Sequence, residues 1–409
     1  MAKKIVLLMQ FYDPEPIYKG QKFAEKLRDM GYDIEVVTGF PNYPGGKVYD
    51  GYKIRLLKRE KINGINITRI PLYPSHDGSR VGRVLNYVSF MLSAFFYLLF
   101  GARKSDMIYV YHPPVTVGLA ATAAQLVRRT PIVLDIHDLW PDTLPATGML
   151  TNPRLLKVID AACNWLYRSA TRIIVQSDGF KTLLMERGVP EEKMVTVIGW
   201  HDEDLIQKPP HAEPEGFPKD NSLRVLFAGN MGRAQALESV IEAAANLAEA
   251  GHERDVSFLF LGSGLALDEL KAQAAQANLS NVTFLGRVPP HEVGGYFAAA
   301  DCLLVHLRDE PLFSITIPSK TQAYLLAGKP ILMAVAGEAS RLVETAKAGI
   351  AAHPQDHSSI AQACLELARM SAEQRELLGS AGRSFYWREL SMDTGMAKFN
   401  AVFQSAFRG

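Results

Sequence analysis

Short apolar runs alternate with amphipathic stretches along most of the 409-residue chain. Residues 5–12, 34–40 and 132–137 are examples of such runs, and the segments between them place apolar residues at helical spacing. Strands that alternate with helices in this way form parallel sheets whose two faces are covered by the helices. The pattern therefore predicts an α/β fold made of doubly wound, Rossmann-like domains.

The alternation is interrupted between residues 204 and 222, where four prolines and one glycine occur and no periodicity remains. This composition is typical of a linker, and 409 residues are enough for two hydrophobic cores. We therefore expect a first domain at 1–203, a linker at 204–222 and a second domain at 223–390. Residues 391–409 contain a last helix that could pack anywhere on its apolar periodicity alone.

Composition excludes several classes of function. The chain has 44 Lys and Arg against 43 Asp and Glu, which is unlike the strongly basic balance of nucleic-acid-binding proteins. Its three cysteines lie far apart with no CxxC pair, so neither a zinc site nor a disulfide framework is predicted, and the cytoplasm is the natural compartment. The N-terminal apolar run is too short for a secretory signal and is expected to form the first strand.

Glycine-containing turns in the second half favour an anionic ligand. The segment GNMGR at 229–233 follows an apolar run, and TIPSK at 316–320 opens a short helix. Backbone N–H groups and the helix dipole at such turns attract anions, and Lys320 adds a full positive charge. A single glycine pair is explained equally well by an ordinary tight turn between a strand and a helix. GSG at 262–264 and GRVP at 286–289 add two more such turns, and the whole series favours a nucleotide-binding site. A GxGxxG fingerprint is missing, which argues against nicotinamide.

Polar residues also gather at strand ends of the first domain. HDLWPD at 137–142 follows Asp135, and a histidine and carboxylates beside a tryptophan can bind sugar hydroxyls and stack on a sugar face. The alternative is that Asp135 or Asp138 caps a helix and His137 is a core residue. Gly20, before the first helix, either admits a ligand to its backbone or is an ordinary loop glycine. The DxD at 202–204 is expected to be a solvated charge run, so no metal is predicted.

One apolar segment, LNYVSFMLSAFFYLLFG at 85–101, is just short of the ~20 residues that cross a bilayer, and we expect it not to span. Basic residues flank it at 80, 83, 103 and 104, and a basic loop at 53–61 belongs to the same domain. An apolar helix with cationic flanks suits a protein that lies on an anionic membrane surface. The alternative is a buried core helix.

An ordered set of segments resembles the retaining family 4 glycosyltransferases of the GT-B fold. The segments are FYDPEP, PNYPGG, HDLWPD, GWHDED, FAGNMG, FLGSG, FLGRVP, AAADCLLVHL and IPSK…AGKP, and they span nearly the whole chain. The resemblance is closest to the branch that builds bacterial surface polysaccharides with N-acetylated or deoxy amino sugars such as fucosamine. It implies two Rossmann-like domains facing a central cleft, a nucleotide-sugar donor on the second domain, an acceptor on the first, and a helix at 391–409 returning to the first domain.

The resemblance and the strand ends together give three groups of predicted site residues. The predicted catalytic residues are His137, Asp138, Arg233 and Lys320. The predicted donor-binding residues are Gly20, Gly229, Asn230, Gly262, Gly264, Arg287, Val288, Ser314, Thr316 and Ser319. The predicted acceptor-side residues are Glu15, His112 and Trp140.

Two departures from the family pattern stand out. Many members carry two glutamates ahead of the AxGxP segment, and Ile315 and Ala323 occupy those places here, where neither can bind a hydroxyl. Either Ser314, Thr316 or Gln322 makes these contacts, or the donor differs. The family's usual lysine after the phosphate-side glycines is also absent, and Arg233 is the expected substitute.

These observations predict a metal-independent, retaining transferase of the N-acetylhexosaminyl type that needs no cofactor. It would use a UDP-sugar to extend a polyprenyl-diphosphate-linked glycan in O-antigen, capsule or exopolysaccharide synthesis, at the inner face of the cytoplasmic membrane. The leaving phosphate would take the acceptor proton while His137 orients the donor sugar. A sugar-nucleotide 2-epimerase and a non-catalytic partner subunit that binds nucleotide sugar are the two alternatives.

Overall fold

The computed structural model describes residues 2–75, 80–102, 104–146, 148–207, 214 and 216–408. The chain divides into two compact units, one made of Met1–Val197 with Met396–Gly409 and the other of Ile198–Gly395. Each unit is an α/β layer structure around its own sheet, as the alternating apolar runs predicted.

The first unit contains an eight-stranded sheet in the order β3-β4-β2-β1-β5-β6-β7-β8, parallel except for the β3–β4 pair. Its strands are β1 Lys4–Leu8, β2 Asp33–Thr38, β3 Lys58–Ile62, β4 Ile65–Arg69, β5 Met107–His112, β6 Ile132–Ile136, β7 Arg172–Val175 and β8 Met194–Thr196. Its helices are α1 Gln21–Asp29, α2 Arg80–Phe96, α3 Val115–Arg128, α4 Thr143–Ala146, α5 Pro153–Ser169 and α6 Asp178–Glu186. The central strands β1 and β6 are buried almost throughout, because helices cover both faces.

The second unit contains a six-stranded parallel sheet in the order β11-β10-β9-β12-β13-β14. Its strands are β9 Leu223–Asn230, β10 Val256–Ser263, β11 Val282–Gly286, β12 Cys302–His306, β13 Ile331–Ala334 and β14 Gly349–Ala351. Its helices are α7 Glu203–Gln207, α8 Glu238–Glu249, α9 Leu267–Gln276, α10 Val293–Ala299, α11 Pro311–Ser314, α12 Ser319–Ala327, α13 Glu338–Ala346, α14 His357–Arg369 and α15 Ala372–Phe385.

The last helix, α16 Met392–Ala406, packs from Met396 onward with the first unit. Phe399 meets the ring of Phe23 at 5.4 Å between centroids, and Phe403 meets Tyr109 at 5.9 Å. Tyr32 donates to the side-chain oxygen of Asn400 at 2.5 Å. The apolar periodicity of this helix is therefore used to complete the core of the N-terminal unit.

The unit boundaries differ from the expected domain ends. Residues 198–203, assigned to the first domain from sequence, belong to the second unit, where a Cβ atom on Gly395 would lie 2.4 Å from the Trp200 ring. The expected linker at 204–222 begins inside α7, whose Glu203 accepts hydrogen bonds from the N–H of Met392 at 2.7 Å and the hydroxyl of Tyr386 at 3.2 Å. Residues 208–213 and 215 of that linker lie outside the described residues.

The basic loop expected at 53–61 is partly a strand. Lys58–Ile62 forms β3, which pairs antiparallel with β4 at the edge of the sheet. Its sequence KREKI carries no alternating apolar face, because an edge strand is held by backbone hydrogen bonds while its side chains remain polar. Lys58 is also neutralised by Glu60 at 2.7 Å, so the loop is less cationic than its sequence indicates.

Candidate functional site

A buried polar cluster lies at the carboxyl end of the central strands of the first unit. Asp135, next to last in β6, has no exposed side-chain surface, and Lys19, which precedes α1, is 2% exposed and donates to its carboxylate. Tyr109 from β5 donates to the same oxygen, and Gln176 donates to the other at 3.2 Å. The ammonium of Lys19 also lies 4.5 Å from the centroid of the Phe399 ring on α16.

The buried Lys19–Asp135 ion pair controls the charge state of this cluster. Burial alone would raise the pKa of Asp135, but the charge of Lys19 and the hydrogen bonds it receives hold that pKa well below the ordinary range. Burial lowers the pKa of Lys19, and Asp135 offsets part of that effect. The carboxylate is therefore ionised at neutral pH and needs its partner, since an unpaired buried charge is costly.

His137 lies directly above this ion pair. Its Nε2 atom is 3.0 Å from Nζ of Lys19 and 3.1 Å from Oδ2 of Asp135. Its ring packs against that of Tyr111 with centroids 4.6 Å apart and planes tilted by 34°. Its side chain is 20% exposed. Burial and the charge of Lys19 lower the pKa of His137, so the ring is neutral near pH 7. His137 therefore lies beside Asp135 and Asp138 at the end of β6, and its role towards a sugar stays a prediction.

Asp138 differs from Asp135 in its surroundings. Burial raises the pKa of Asp138, and the neighbouring His137 offsets only part of this change. The two carboxylates therefore have opposite shifts within four residues of sequence. A carboxyl group with a raised pKa can exchange a proton closer to neutral pH, as an acid or base requires.

Gly20 is explained by the start of α1. The carboxylate of Asp13 accepts the N–H of Gln21 at 2.7 Å, and a Cβ atom on Gly20 would lie 2.0 Å from that same oxygen. Glycine is thus required so that Asp13 can approach the helix terminus. Contact of Gly20 with donor phosphates stays a prediction.

The three predicted acceptor-side residues have different environments. The carboxylate of Glu15 is buried and accepts backbone N–H groups of Tyr12, Asn42 and Tyr43 at 2.8–3.0 Å, so it holds two loops together. Trp140 is half-buried, and its carbonyl accepts the hydroxyl of Tyr167 at 2.8 Å.

The expectation for His112 needs correction. This residue has no exposed surface and packs between Trp140 and Tyr167, with ring centroids 6.4 Å away in both cases. Burial lowers the pKa of His112 to about 3, so the imidazole is neutral. A side chain enclosed in this way cannot touch an acceptor, because the last residue of β5 points its ring into the core.

Lys320 is the central feature of the second unit. It is the second residue of α12, its Nζ atom lies 3.6 Å from the centroid of the Phe227 ring, and its stem crosses Gly229. Burial lowers the pKa of Lys320 to about 7. Among the described residues no carboxylate pairs with it, so its charge is available to an anion at this helix N-terminus.

Glycine is required at three positions around Lys320, at the ends of β9 and β10. Gly229 has φ +137°, and a Cβ atom there would lie 2.7 Å from Cε of Lys320. Gly262 has φ +132°, and its Cβ would lie 2.0 Å from the carbonyl oxygen of Gly229 on the neighbouring strand. A Cβ on Gly264 would lie 2.3 Å from the carbonyl oxygen of Met231. These glycines let β9, β10 and α12 approach one another closely.

The turn after β9 offers fewer free N–H groups than its glycines suggest. The N–H of Met231 donates to Ser263 at 2.9 Å, and the N–H of Gly232 donates to the side chain of Gln235 at 3.0 Å. His306 holds the turn from below, since its Nδ1 lies 2.7 Å from the carbonyl of Gln235. Burial lowers the pKa of His306 to about 4, so it acts as a neutral tether.

The other predicted site residues of the second unit, which are Arg233 from the catalytic group and the remaining donor-binding residues, lie at the surface or in short turns. Arg233, Asn230, Arg287 and Ser319 are exposed, and Val288 is half-buried. The hydroxyls of Ser314 and Thr316 donate to carbonyls of Pro311 and Leu312, each at 2.8 Å, and remain free to accept.

The places of the family's glutamates are filled by packing. Ile315 is half-buried and Ala323 is buried. The side-chain amide nitrogen of Gln322 donates to the carbonyls of Pro318 and Ser319 at 2.9–3.0 Å. Gln322 therefore completes the start of its own helix. This leaves Ser314 and Thr316 as the hydroxyl groups that flank Ile315 in sequence.

Sequence reasoning missed Lys19, Phe227 and His306. Lys19 stands next to a glycine at the start of a helix, and its residue type alone does not distinguish it from the exposed Lys22 that follows. Phe227 and His306 lie in apolar strands where a core role is the usual interpretation. A charged or polar residue just before a glycine turn was the available signal for Lys19.

Two known protein families match most of the residues of both units. Residues 21–200 match the family described as Glycosyl transferase 4-like domain, and residues 222–370 match Glycosyl transferases group 1.

Curated relatives are similar over most of the chain. The probable glycosyltransferase WbjE of Pseudomonas aeruginosa is 26% identical over 306 residues, covering 73% of this chain and 74% of that protein. The putative colanic acid biosynthesis glycosyl transferase WcaI of Escherichia coli is 27% identical over 358 residues, covering 84% and 86%.

Solved structures share the fold. Sucrose-phosphate synthase from Thermosynechococcus elongatus has a TM-score of 0.71 at 15% identity, covering 99% of both chains. Anabaena HepE in complex with UDP-glucose has a TM-score of 0.69 at 17% identity, covering 98% of this chain and 99% of that one. The predicted GT-B fold is confirmed. The chain is a glycosyltransferase of this fold, built from a glycosyl transferase 4-like domain and a domain of glycosyl transferases group 1.

Proposed function

We propose that this enzyme transfers a sugar from a UDP-sugar to a lipid-linked glycan during the synthesis of a bacterial surface polysaccharide. The single observation that carries the donor assignment is Lys320, a cation without a carboxylate partner among the described residues, at the N-terminus of α12. A diphosphate supplies the negative charge that such a position favours. HepE, which shares the fold, is bound to UDP-glucose in its structure.

The proposed assignment to polysaccharide synthesis is supported by the two curated relatives. One of them is described as a putative colanic acid biosynthesis glycosyl transferase, and the other as a probable glycosyltransferase. An N-acetylated or deoxy amino sugar is the proposed donor sugar. Retention of configuration and independence of metal belong to the same proposal, with the diphosphate charge met by Lys320, Arg233 and backbone N–H groups.

Thermal unfolding in the presence of nucleotides tests the donor site. A ligand that binds only the folded state raises the unfolding midpoint, and 100 times its Kd adds ~2.7 kcal/mol. We expect UDP and UDP-N-acetylhexosamines to raise the midpoint of the wild type and of Lys271→Ala, which removes an exposed lysine of the same unit. Lys320→Ala should abolish the increase. An equal increase in Lys320→Ala would contradict the assignment.

Turnover assays separate this function from its alternatives. Release of UDP that depends on an added polyprenyl-diphosphate glycan, continues in EDTA and gives a product with the donor's anomeric configuration is the expected result. Turnover of the nucleotide sugar without any acceptor would favour a 2-epimerase. Binding without turnover under every acceptor condition would favour a non-catalytic subunit.

The proposal includes a peripheral contact with the cytoplasmic face of the membrane through α2 and the helical turn Tyr97–Gly101 that continues it. Val81–Gly101 is long and apolar enough to cross a bilayer by length and composition, and only 28% of it is buried in the fold. Its exposed apolar side chains recur at helical spacing and include Val81 at 70%, Phe96 at 56% and Phe100 at 80%. Such a stripe, facing away from the domain, suits insertion into the interface of a bilayer.

Charge around this helix suits an anionic leaflet. Residues 80–102 and 115–130 contain no Asp or Glu, and Leu126 and Val127 add exposed apolar surface at the end of α3. Lys104 and Arg129 are exposed beside it, whereas Arg103 lies outside the described residues and the side chain of Arg80 does too. Anionic lipid attracts basic residues by ~1 kcal/mol each.

Vesicle flotation tests the membrane contact. The wild type should float with vesicles that contain phosphatidylglycerol, and Phe96→Glu/Phe100→Glu should not. Leu377→Glu is the matched control, because Leu377 is 69% exposed but lies on α15 of the other unit. Equal flotation of both variants, or none by the wild type, would remove this part of the proposal.

A further inference from the structure

Two buried charged groups contact the ring of His137, and a hydrogen bond from His137 to a sugar would not by itself require them. Nζ of Lys19, Oδ2 of Asp135 and Nε2 of His137 form a triangle, with the histidine 3.0 Å from the lysine and 3.1 Å from the carboxylate. The lysine and the carboxylate are buried, whereas the histidine reaches the surface. The two buried groups therefore influence where the ring of His137 carries its proton.

The protonation of these atoms determines which of the two contacts with His137 is a hydrogen bond. A lysine ammonium has three donors and no acceptor, so its contact with Nε2 is favourable only when that nitrogen carries no proton. The neutral ring then carries its proton on Nδ1. The competing contact, Nε2–H to Asp135, would direct that proton at an ammonium 3.0 Å away, which is repulsive.

Asp135 has enough other donors to leave Nε2 unprotonated. Its carboxylate already accepts from Lys19, from the hydroxyl of Tyr109 and from the side chain of Gln176. No described residue contacts Nδ1 of His137 through a hydrogen bond. A proton on Nδ1 is thus free to be donated to a ligand.

We propose that Lys19 is a positioning residue, whose ammonium holds His137 in the neutral tautomer with the proton on Nδ1. His137 then offers a hydrogen-bond donor to an oxygen of the bound sugar and is prevented from acting as a base through Nε2. The identity of the sugar ligand rests on the proposed function, whereas the tautomer does not.

The ionisable groups around His137 come from three elements. Lys19 belongs to the loop before α1, and Asp135 and Asp138 belong to β6 and its end. Tyr109, Tyr111 and His112 belong to β5. Both tyrosines have a pKa raised by burial, and His112 is neutral. The charges near His137 that matter at neutral pH are therefore the ammonium of Lys19 and the two carboxyl groups.

Removal of Lys19 should change which ring nitrogen of His137 carries the proton. In Lys19→Met the carboxylate of Asp135 loses its cation and has His137 as the nearest replacement. The proton should move to Nε2, and the pKa of His137 should rise above the ordinary value of about 6.5 because an ion pair with Asp135 becomes available.

Histidine-selective ¹⁵N NMR tests this tautomer without any substrate. The signal of His137, identified by its loss in His137→Gln, should show a protonated Nδ1 and an unprotonated Nε2 in the wild type across pH 6–8. Lys19→Met should show a protonated Nε2 and a raised pKa, while Lys22→Met, an exposed lysine three residues away on α1, should resemble the wild type.

The outcomes are decisive in each case. A wild-type spectrum with the proton on Nε2 overturns the proposal even when Lys19→Met does not fold. An unchanged tautomer and pKa in a folded Lys19→Met protein also overturns it. If the proposed transfer reaction is observed, Lys19→Met should lower kcat about 2- to 13-fold, the factor for one lost hydrogen bond. The pH at which kcat is maximal should also move to a higher value. Failure to find any transferase activity would leave the NMR result unaffected.

Discussion

The ammonium of Lys320 lies 3.6 Å from the centroid of the Phe227 ring, and burial lowers its pKa to about 7. An unfolded lysine has a pKa of about 10.4. Between these values the unfolded chain binds a proton that the folded chain does not, so the free energy of unfolding rises with pH in this window. Lys320 therefore opposes folding fully below pH 7 and ceases to do so above about pH 10.4.

Lys320→Met should consequently stabilise the protein at pH 6. One pKa unit corresponds to ~1.4 kcal/mol, and because Lys320 is half-buried we expect a gain of about 1–3 kcal/mol rather than the full value. The gain should fall progressively between pH 7 and pH 10. Urea unfolding at several pH values measures it, with Lys271→Met as the control. A gain that is independent of pH would mean that hydrophobic packing, not charge, is responsible.

Gly262 provides a test of the close approach between β9 and β10. Gly262→Ala places a Cβ 2.0 Å from the carbonyl oxygen of Gly229 and requires φ +132° of an alanine. Gly251→Ala also has a positive φ, of +78°, but nothing lies within 4 Å of its Cβ. We expect Gly251→Ala to cost about 1 kcal/mol and Gly262→Ala at least about 3 kcal/mol. Similar costs in urea unfolding would show that the strands separate easily.

The fold was predictable because alternating apolar runs are a strong and repeated signal. The boundary between the two units was less predictable, because residues 198–203 show no change in composition where the chain enters the second unit. Strand β3 was missed because an edge strand is held by backbone pairing with β4, which leaves no apolar pattern in KREKI. Sequence periodicity reports burial and not pairing.

The positions of Lys320 at a helix N-terminus and of His137 at a strand end were predictable from sequence, because a residue's type and its place in the local pattern agree there. The site was not predictable where the deciding contact is distant in sequence. Lys19 and Asp135 are separated by 116 residues, and Phe227 and Lys320 meet only because β9 and α12 are adjacent in the fold. His112 looked equivalent to His137 in sequence, but its ring faces the core.

Gly20 and Asp13 allow the two interpretations of Gly20 to be separated. Gly20→Ala should destabilise the protein by about 1–3 kcal/mol, because its Cβ would contact the Asp13 carboxylate that binds the N–H of Gln21. Asp13→Ala removes both the clash and the hydrogen bond. A double-mutant cycle should therefore show strong non-additivity, with Gly20→Ala costing little once Asp13 is absent. Additive effects would mean that the Asp13 carboxylate moves away from Gly20 at little cost.

Binding of a diphosphate should be coupled to proton uptake at Lys320. An anion beside the ammonium favours the charged form and raises its pKa above about 7, so at pH 8 the wild type should take up part of a proton when UDP binds. UDP itself is fully deprotonated at that pH, and His306 stays neutral because burial holds its pKa near 4. Calorimetric titrations in buffers with different ionisation enthalpies measure the uptake. Lys320→Arg, which is charged at every pH used, should bind UDP with no uptake, so equal uptake in both proteins would place the responsible group elsewhere.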